Sequence, residues 1–336
     1  MDLQILWFIL IAVLFVGYFF LEGFDFGVGM LMPFISRDDV DRQLVLRTIG
    51  PHWDANEVWI ITAGGAMFAA FPHWYATLFS GFYLPLFLIL IALILRAVGI
   101  EFRQKVDPSW TRTADQFVFW GSLLPAFLWG VAFTNVAMGL PIGADMNFRG
   151  EIGDLLNWYA LIGGLASTSL FALHGAVFLA FRTSGELHDR AKKLASIMWL
   201  PTGALLLFFA VLGFSQTTLF EGMGVVPGTL PMLTMFVFVG GFVMVRMERE
   251  GWAFAATGLT IVLATIVVFE GLFPNVMISS LDSAYHLTIY NASSSRLTLQ
   301  VMSFVALLFV PIVLAYQGWS YYVFRQRVTR ESVSRG

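Results

Sequence analysis

Gly50 to Phe71 reads GPHWDANEVWIITAGGAMFAAF. Its second half is apolar. Its first half carries two carboxylates, Asp54 and Glu57, and an amide, Asn56. Hydrocarbon penalises charge, so acids at the mouth of a bilayer-length run need either a structural or a chemical reason. The rest of the chain supplies the setting. Of its 336 residues 58% are hydrophobic and 12% charged, and mean hydropathy is +0.78. Soluble domains carry about 25% charged residues, so the composition is that of an integral membrane protein. The net charge of -3 gives no sign of a nucleic-acid partner. With no Cys there are no disulfides, thiolate metal sites, iron–sulfur clusters or thioether-linked haem.

Runs of about 20 apolar residues match a hydrocarbon core of about 30 Å. Nine such runs are expected, near 4–32, 53–72, 76–98, 117–138, 158–181, 196–216, 229–246, 252–272 and 299–323. The first has neither a basic leader region nor a small-residue cleavage site and is expected to be a helix, not a removed signal. Seventeen of the 19 Lys and Arg residues fall in one set of connections, from Arg37 to Arg335. Only Arg149 and Arg296 fall in the other. Basic residues stay on the cytoplasmic side, which predicts an N-terminus outside and a C-terminus inside.

That orientation places Asp54 and Glu57 at a cytoplasmic mouth. The first run holds a second pair, Glu22 and Asp25, in FLEGFDFGVGML. Their spacing of three puts both on one helix face. Asp25 lies eight residues before Pro33, roughly 12 Å inward at about 1.5 Å per residue. A central, lipid-facing carboxylate costs on the order of 2.5–3.5 kcal/mol, so these acids should face protein or water. Gly23, Gly27 and Gly29 would allow close helix contact around them. The expectation is a proton-exchanging ladder of Asp54, Glu57, Asp25 and Glu22. Trp53 and His52 would frame its entrance, with Arg96 as a cation nearby. A plainer reading is that Asp54 or Asn56 caps a helix behind Pro51, while Glu57 only favours its first turn. In TAGGAMFAA the small residues at 65/69 and 66/70 are read as close packing.

His52, His73, His188 and His286 fall at helix ends or in loops; only His174 lies deep in a run. Helical bundles commonly hold haem b by paired His or His/Met ligands. One deep His cannot make a bis-His site; a His/Met site at His174 stays open with 14 Met residues in the chain, while an interhelical hydrogen bond is the ordinary use of such a His. Walker, dinucleotide and H-E-x-x-H motifs are lacking. On these grounds a proton-coupled secondary transporter and a purely structural scaffold compete with a redox subunit.

The blocks EGFDFGVGML, GPHWDANEVWIITAGGAMFAAFP, FSGFY, RAVGIEFR, SGELHDRA and FPNVMISSLDSAYHLTIYNASSS, in this order, resemble subunit II of the cytochrome bd-type quinol oxidases. The resemblance implies an all-α membrane protein of two four-helix bundles (about 1–140 and 155–275) and a peripheral ninth helix (299–323). It implies a bacterial cytoplasmic-membrane complex that oxidises quinol and reduces oxygen to water without pumping. Subunit I would carry two b-type haems and haem d. This chain would ligate none, would support subunit I and would contribute to a cytoplasmic proton path. A small accessory single-helix subunit and a bound quinone are further expected partners. The family's acidic positions match Asp25 and Asp54, its Trp matches Trp53 and its Arg matches Arg96; Glu22 stands where a relative carries Asp.

Overall fold

The computed structural model describes residues 2–220 and 228–331. Arg335 lies outside the described residues. The chain runs through twelve α-helices: α1 (Leu3–Ile35), α2 (Asp39–Ile49), α3 (Trp53–Ala70), α4 (Pro72–Gly81), α5 (Tyr83–Phe102), α6 (Thr111–Met138), α7 (Ile152–Leu155), α8 (Trp158–Arg182), α9 (Glu186–Gln216), α10 (Thr229–Arg246), α11 (Glu250–Leu272) and α12 (Arg296–Val323). A two-stranded antiparallel ladder, β1 (Asn275–Met277) and β2 (Leu287–Thr288), sits between α11 and α12.

Each of the nine apolar runs contains a long helix, with shifted ends. The run at 76–98 is not one helix: α4 ends at Gly81 and α5 begins at Tyr83. Among the described residues eight helices are long and apolar enough to cross a bilayer; α3 is not one of them. Its first two turns carry Asp54, Asn56 and Glu57, and these polar groups lower its mean hydropathy. Polar side chains set several starts. Asp2 accepts from the Gln4 amide at 3.2 Å, Asn157 from Ala160 at 2.8 Å and Ser295 from Thr298 at 3.2 Å, each satisfying an orphan helical N–H.

α1 is the hub. It packs against α3, α6, α8 and α11, while α5 lies on α6, α9 on α8, and α10 on α11. Glycine makes the closest crossing. A Cβ on Gly27 would sit 2.1 Å from the Phe171 carbonyl oxygen and 2.7 Å from Gly175 Cα; one on Gly175 would meet Gly27 C at 2.4 Å. Backbone touches backbone there, as lipid-embedded helices require when tight packing must hold them together. Gly29 makes the same approach to Ser122 of α6. The packing expected at Gly65 is not present among the described residues: Gly65 is exposed, and a Cβ added there would meet nothing within 4 Å. α12 is the outlier, contacting α1 and α3 with only Leu299 buried.

α2 is amphipathic and is fixed by charge. Arg103 bridges Asp39 and Asp115, each at 2.6 Å, and Arg42 reaches Asp115 at 3.2 Å. Hydrogen bonding from Arg103 holds the Asp39 carboxyl below its ordinary pKa. Beyond α12 the chain crosses the same end of the molecule: the Val328 amide donates to the Arg182 carbonyl at 2.8 Å, and Arg330 pairs with Asp38 and Asp41.

Gly175→Val should therefore lower the thermal stability of the purified assembly by an amount equivalent to about 1–3 kcal/mol or more, the cost of overpacking. Gly240→Ala, where nothing lies within 4 Å, should leave the melting temperature nearly unchanged. Equal melting curves for the two variants would refute the α1–α8 contact.

Candidate functional site

The acids of α1 point into the protein. Glu22 and Asp25, one turn apart, are both fully buried. Facing them from α5 is Arg96, also fully buried. Its guanidinium grips Glu22 with two nitrogens, Nη1 to Oε2 at 2.7 Å and Nη2 to Oε1 at 2.8 Å. Nη2 also donates to Glu57 Oε1 of α3 at 3.0 Å, and Cζ lies 4.8 Å from the centre of the Phe26 ring. The planar fork of arginine suits this bidentate geometry, which an ammonium could not reproduce. Room for it comes from Gly121 of α6, where an added Cβ would meet Arg96 Cβ at 2.7 Å.

Asp25 has a different partner. Asn56 Nδ2 donates to Asp25 Oδ2 at 2.7 Å, while Asp25 Oδ1 has no hydrogen-bond partner among the described residues. Asn56 Oδ1 in turn accepts from Tyr321 OH at 2.9 Å and from Gln317 Nε2 at 3.4 Å, and Trp59 Nε1 donates to Gln317 Oε1 at 3.0 Å. The site therefore joins four helices: α1, α3, α5 and α12. It holds three carboxyls against one guanidinium. That group is electroneutral only when two of the carboxyls carry protons.

The plain capping reading does not hold. The N-cap of α3 is His52, with no side-chain capping bond. Asn56 is turned inward to Asp25, and Glu57 is committed to Arg96. Asp54 stands apart from the buried cluster. It is exposed and makes no hydrogen bond or ion pair with the described residues. It lies one turn from Glu57 on α3. Trp53 is buried. His52 is buried and stacks on Tyr321, ring centres 4.0 Å apart and 9° from parallel. Burial pushes the His52 imidazole down to about 4, with Arg182 adding to the effect, so it is a neutral ring near pH 7. Gln317 and Tyr321 were missed in the sequence. Their trace there is faint: two hydrogen-bonding side chains four apart, hence on one face, of an otherwise apolar helix.

Two apolar cavities flank α1 and α6. The larger, about 690 Å³, lies among α3, α4, α5 and α6, and Glu57 is the one charged residue lining it. The smaller, about 230 Å³, lies among α6, α8, α9, α10 and α11. His174 is elsewhere. Its Nδ1 is 2.7 Å from Thr257 Oγ1 of α11, and its ring stacks on Phe254 with centres 4.7 Å apart.

The sequence profile of cytochrome bd terminal oxidase subunit II matches residues 3–324. Cytochrome bd ubiquinol oxidase subunit 2 of Bacillus subtilis is 48% identical over 331 residues, which is 98% of each chain. Cytochrome bd-I ubiquinol oxidase subunit 2 of Escherichia coli K12 is 35% identical over 377 aligned positions, covering 99% of this chain and 97% of that one. A chain in the solved structure of the bd oxidase from Geobacillus thermodenitrificans superposes with a TM-score of 0.76 at 18% identity, covering 96% and 99% of the two chains; that likeness concerns the fold. The transporter and scaffold readings give way to these matches. The chain belongs to the cytochrome bd terminal oxidase subunit II family, and is an integral membrane subunit of a haem-containing quinol:oxygen oxidoreductase that it forms with a subunit I.

Proposed function

We propose that this subunit supports subunit I and admits cytoplasmic protons to the oxygen-reducing reaction through its buried acids. The observation that carries the reading is the cluster in which Arg96 is shared by Glu22 and Glu57 while Asp25 lies fully buried beside Asn56. In the proposed frame the nine long helices all span the bacterial cytoplasmic membrane, N-terminus outside and C-terminus inside. Residues 1–140 and 155–275 form two four-helix bundles and α12 is the peripheral ninth. The shortfall in the hydropathy of α3 then has a function: the residues that lower it are the acid site. Two acid-bearing helices converge on Arg96, with Asp54 and Glu57 on α3 and Asp25 and Glu22 on α1. Asp54, exposed, takes protons at the mouth, which Trp53 and His52 frame. Glu57, Asp25 and Glu22 hold and pass them deeper. Arg96 holds the summed charge of the acids negative, so that they are not all protonated at once. Quinol is the electron donor, oxidised on the outer side, and a bound quinone and an accessory single-helix subunit remain part of the proposal.

Haem, when bound in the complex, supplies the electron transfer and oxygen chemistry. The residues of this chain do not fit it. The deep His174 is bonded to Thr257 and covered by Phe254, Phe20 and Phe24. In the proposal the two b-type haems and haem d lie in subunit I, as the family resemblance implies. The isolated, folded chain is expected to bind no stoichiometric haem; a haem spectrum abolished by His174→Ala would sink that assignment.

Asparagine keeps the shape of aspartate but cannot carry its proton. Asp25→Asn should slow steady-state oxygen uptake with excess quinol by about tenfold or more, a modest share of what a positioned proton-transfer group contributes. Asp54→Asn should slow it less, since water reaches the exposed mouth. Haem content, measured on the same samples, should stay at the wild-type level. Wild-type turnover in both variants would end the proton reading.

Arg96→Gln would leave Glu22 buried and unpaired, a loss of about 3–5 kcal/mol for such pairs. The complex should then melt well below wild type or fail to assemble. Glu57→Gln retains an acceptor for Arg96 at a partly exposed site and should cost clearly less in the same melting assay. Equal losses for the two would contradict the central place given to Arg96.

A further inference from the structure

The hydrogen bonds around Asn56 have a direction, and it starts outside the acid cluster. An indole N–H only donates. Trp59 Nε1 therefore requires an oxygen, and Gln317 supplies Oε1 at 3.0 Å. That choice leaves Gln317 Nε2 facing Asn56, whose nearest atom must then be an acceptor, Oδ1 at 3.4 Å. Tyr321 OH donates to the same Oδ1 at 2.9 Å. Both requirements set one orientation of the Asn56 amide, with Nδ2 on Asp25 Oδ2 at 2.7 Å. The shorter and stronger of the two restraints is Tyr321. Its ring stacks on His52, and Phe324 in turn packs edge-on against His52. The neighbouring Phe324 carbonyl accepts from Arg182 of α8. α12 is exposed along almost its whole length, yet it supplies the two side chains that orient the amide beside the buried acid.

We infer that Tyr321 is a positioning residue for the reaction: from the peripheral helix α12 it commits the Asn56 amide N–H to Asp25, and so fixes the geometry in which Asp25 holds and releases its proton. The inference rests on the proton-path reading and names a residue that the path depends on but does not pass through. An amide is a poor proton carrier, so Tyr321 and Asn56 are a wall of the path, not a step in it. The unpartnered Asp25 Oδ1 is the oxygen left free for proton exchange. The charged and titratable groups facing Asp25 are Glu22 from its own helix, Glu57 from α3, Arg96 from α5 and Tyr321 from α12, with His52 and Arg182 beyond Tyr321.

The test uses the intact complex, co-expressed with its subunit I. Oxygen uptake with excess quinol is measured across pH for Tyr321→Phe, Asp25→Asn and the double variant, with haem content on the same samples. Phenylalanine keeps the stack on His52 and removes only the hydroxyl. The freed Asn56 amide donates less to Asp25, and a donor to a carboxylate favours its ionised form. The alkaline limb of the Tyr321→Phe profile is therefore expected to move to higher pH by on the order of one unit, the size of one charge-assisted hydrogen bond, with haem content unchanged. In the Asp25→Asn background the same substitution should change nothing further. An unmoved profile, or an equal proportional loss in both backgrounds, overturns the inference while a slow Asp25→Asn leaves the proton path standing. Full turnover in Asp25→Asn removes the inference, and full turnover in Asp54→Asn as well removes the path with it. If Tyr321→Phe does not assemble, Gln317→Leu, which breaks the other restraint on Asn56, is judged by the same outcomes.

Discussion

One buried guanidinium organises this subunit. Arg96 is fully buried inside the protein, and a lone charge there is untenable. It is tolerable because Glu22 meets it with both oxygens and Glu57 adds a third contact. Those three residues come from three helices, so the ion group is also a clasp: α1, α3 and α5 must be in register for it to form. Buried ion pairs are weak evidence for stability, since desolvation offsets most of the attraction, but breaking one leaves an uncompensated charge. The cluster therefore specifies an arrangement more than it strengthens one. Gly121 shows the same constraint from the other side, because any larger residue on α6 would occupy the space of the Arg96 side chain.

The cluster holds more carboxyls than a clasp needs. A structural pair needs one acid per base. Here Arg96 has two acids in contact and Asp25 close behind, bonded only to a neutral amide. A low-dielectric interior resists net charge, and bound protons are the available remedy. Membrane segments that need only hold together use small residues, as at Gly27 and Gly175, and do not carry such a surplus. The large apolar cavity beside the cluster, with Glu57 as its one charged lining residue, keeps that part of the site at low polarity.

The end of the molecule that carries α2 obeys different rules. There Arg103, Arg42, Arg190 and Arg330 meet Asp39, Asp115, Asp41 and Asp38 in pairs that are partly open to solvent. Each such pair contributes little by itself. Together they hold α2 and the chain beyond α12 against the ends of α5, α6, α8 and α9. This anchoring keeps α12, otherwise in slight contact, near enough for Tyr321 and Gln317 to reach Asn56.

Local chemistry made much of this legible before any coordinates. Apolar runs of bilayer length reveal long helices because each membrane helix must satisfy its own backbone. The spacing of Glu22 and Asp25 reveals one face. The expense of a buried carboxylate marks Asp25, Glu22 and Glu57 as needing partners, and Arg96 was the cation in reach. Side-chain direction was not legible. Asn56 was read beside Asp54 as a possible cap, yet within one turn of α3 Asn56 turns inward to Asp25, Glu57 turns to Arg96 and Asp54 stays exposed. Only the packing of α1, α5 and α12 around α3 decides which of these three is which. The break at Phe82 and the open surface at Gly65 are of the same kind, since apolar composition does not say where a helix bends or what covers it. Gln317 and Tyr321 lie more than 250 residues from their partners in the chain. Nothing local announces them, because what makes them part of the site is the return of the last helix to the side of the first and third.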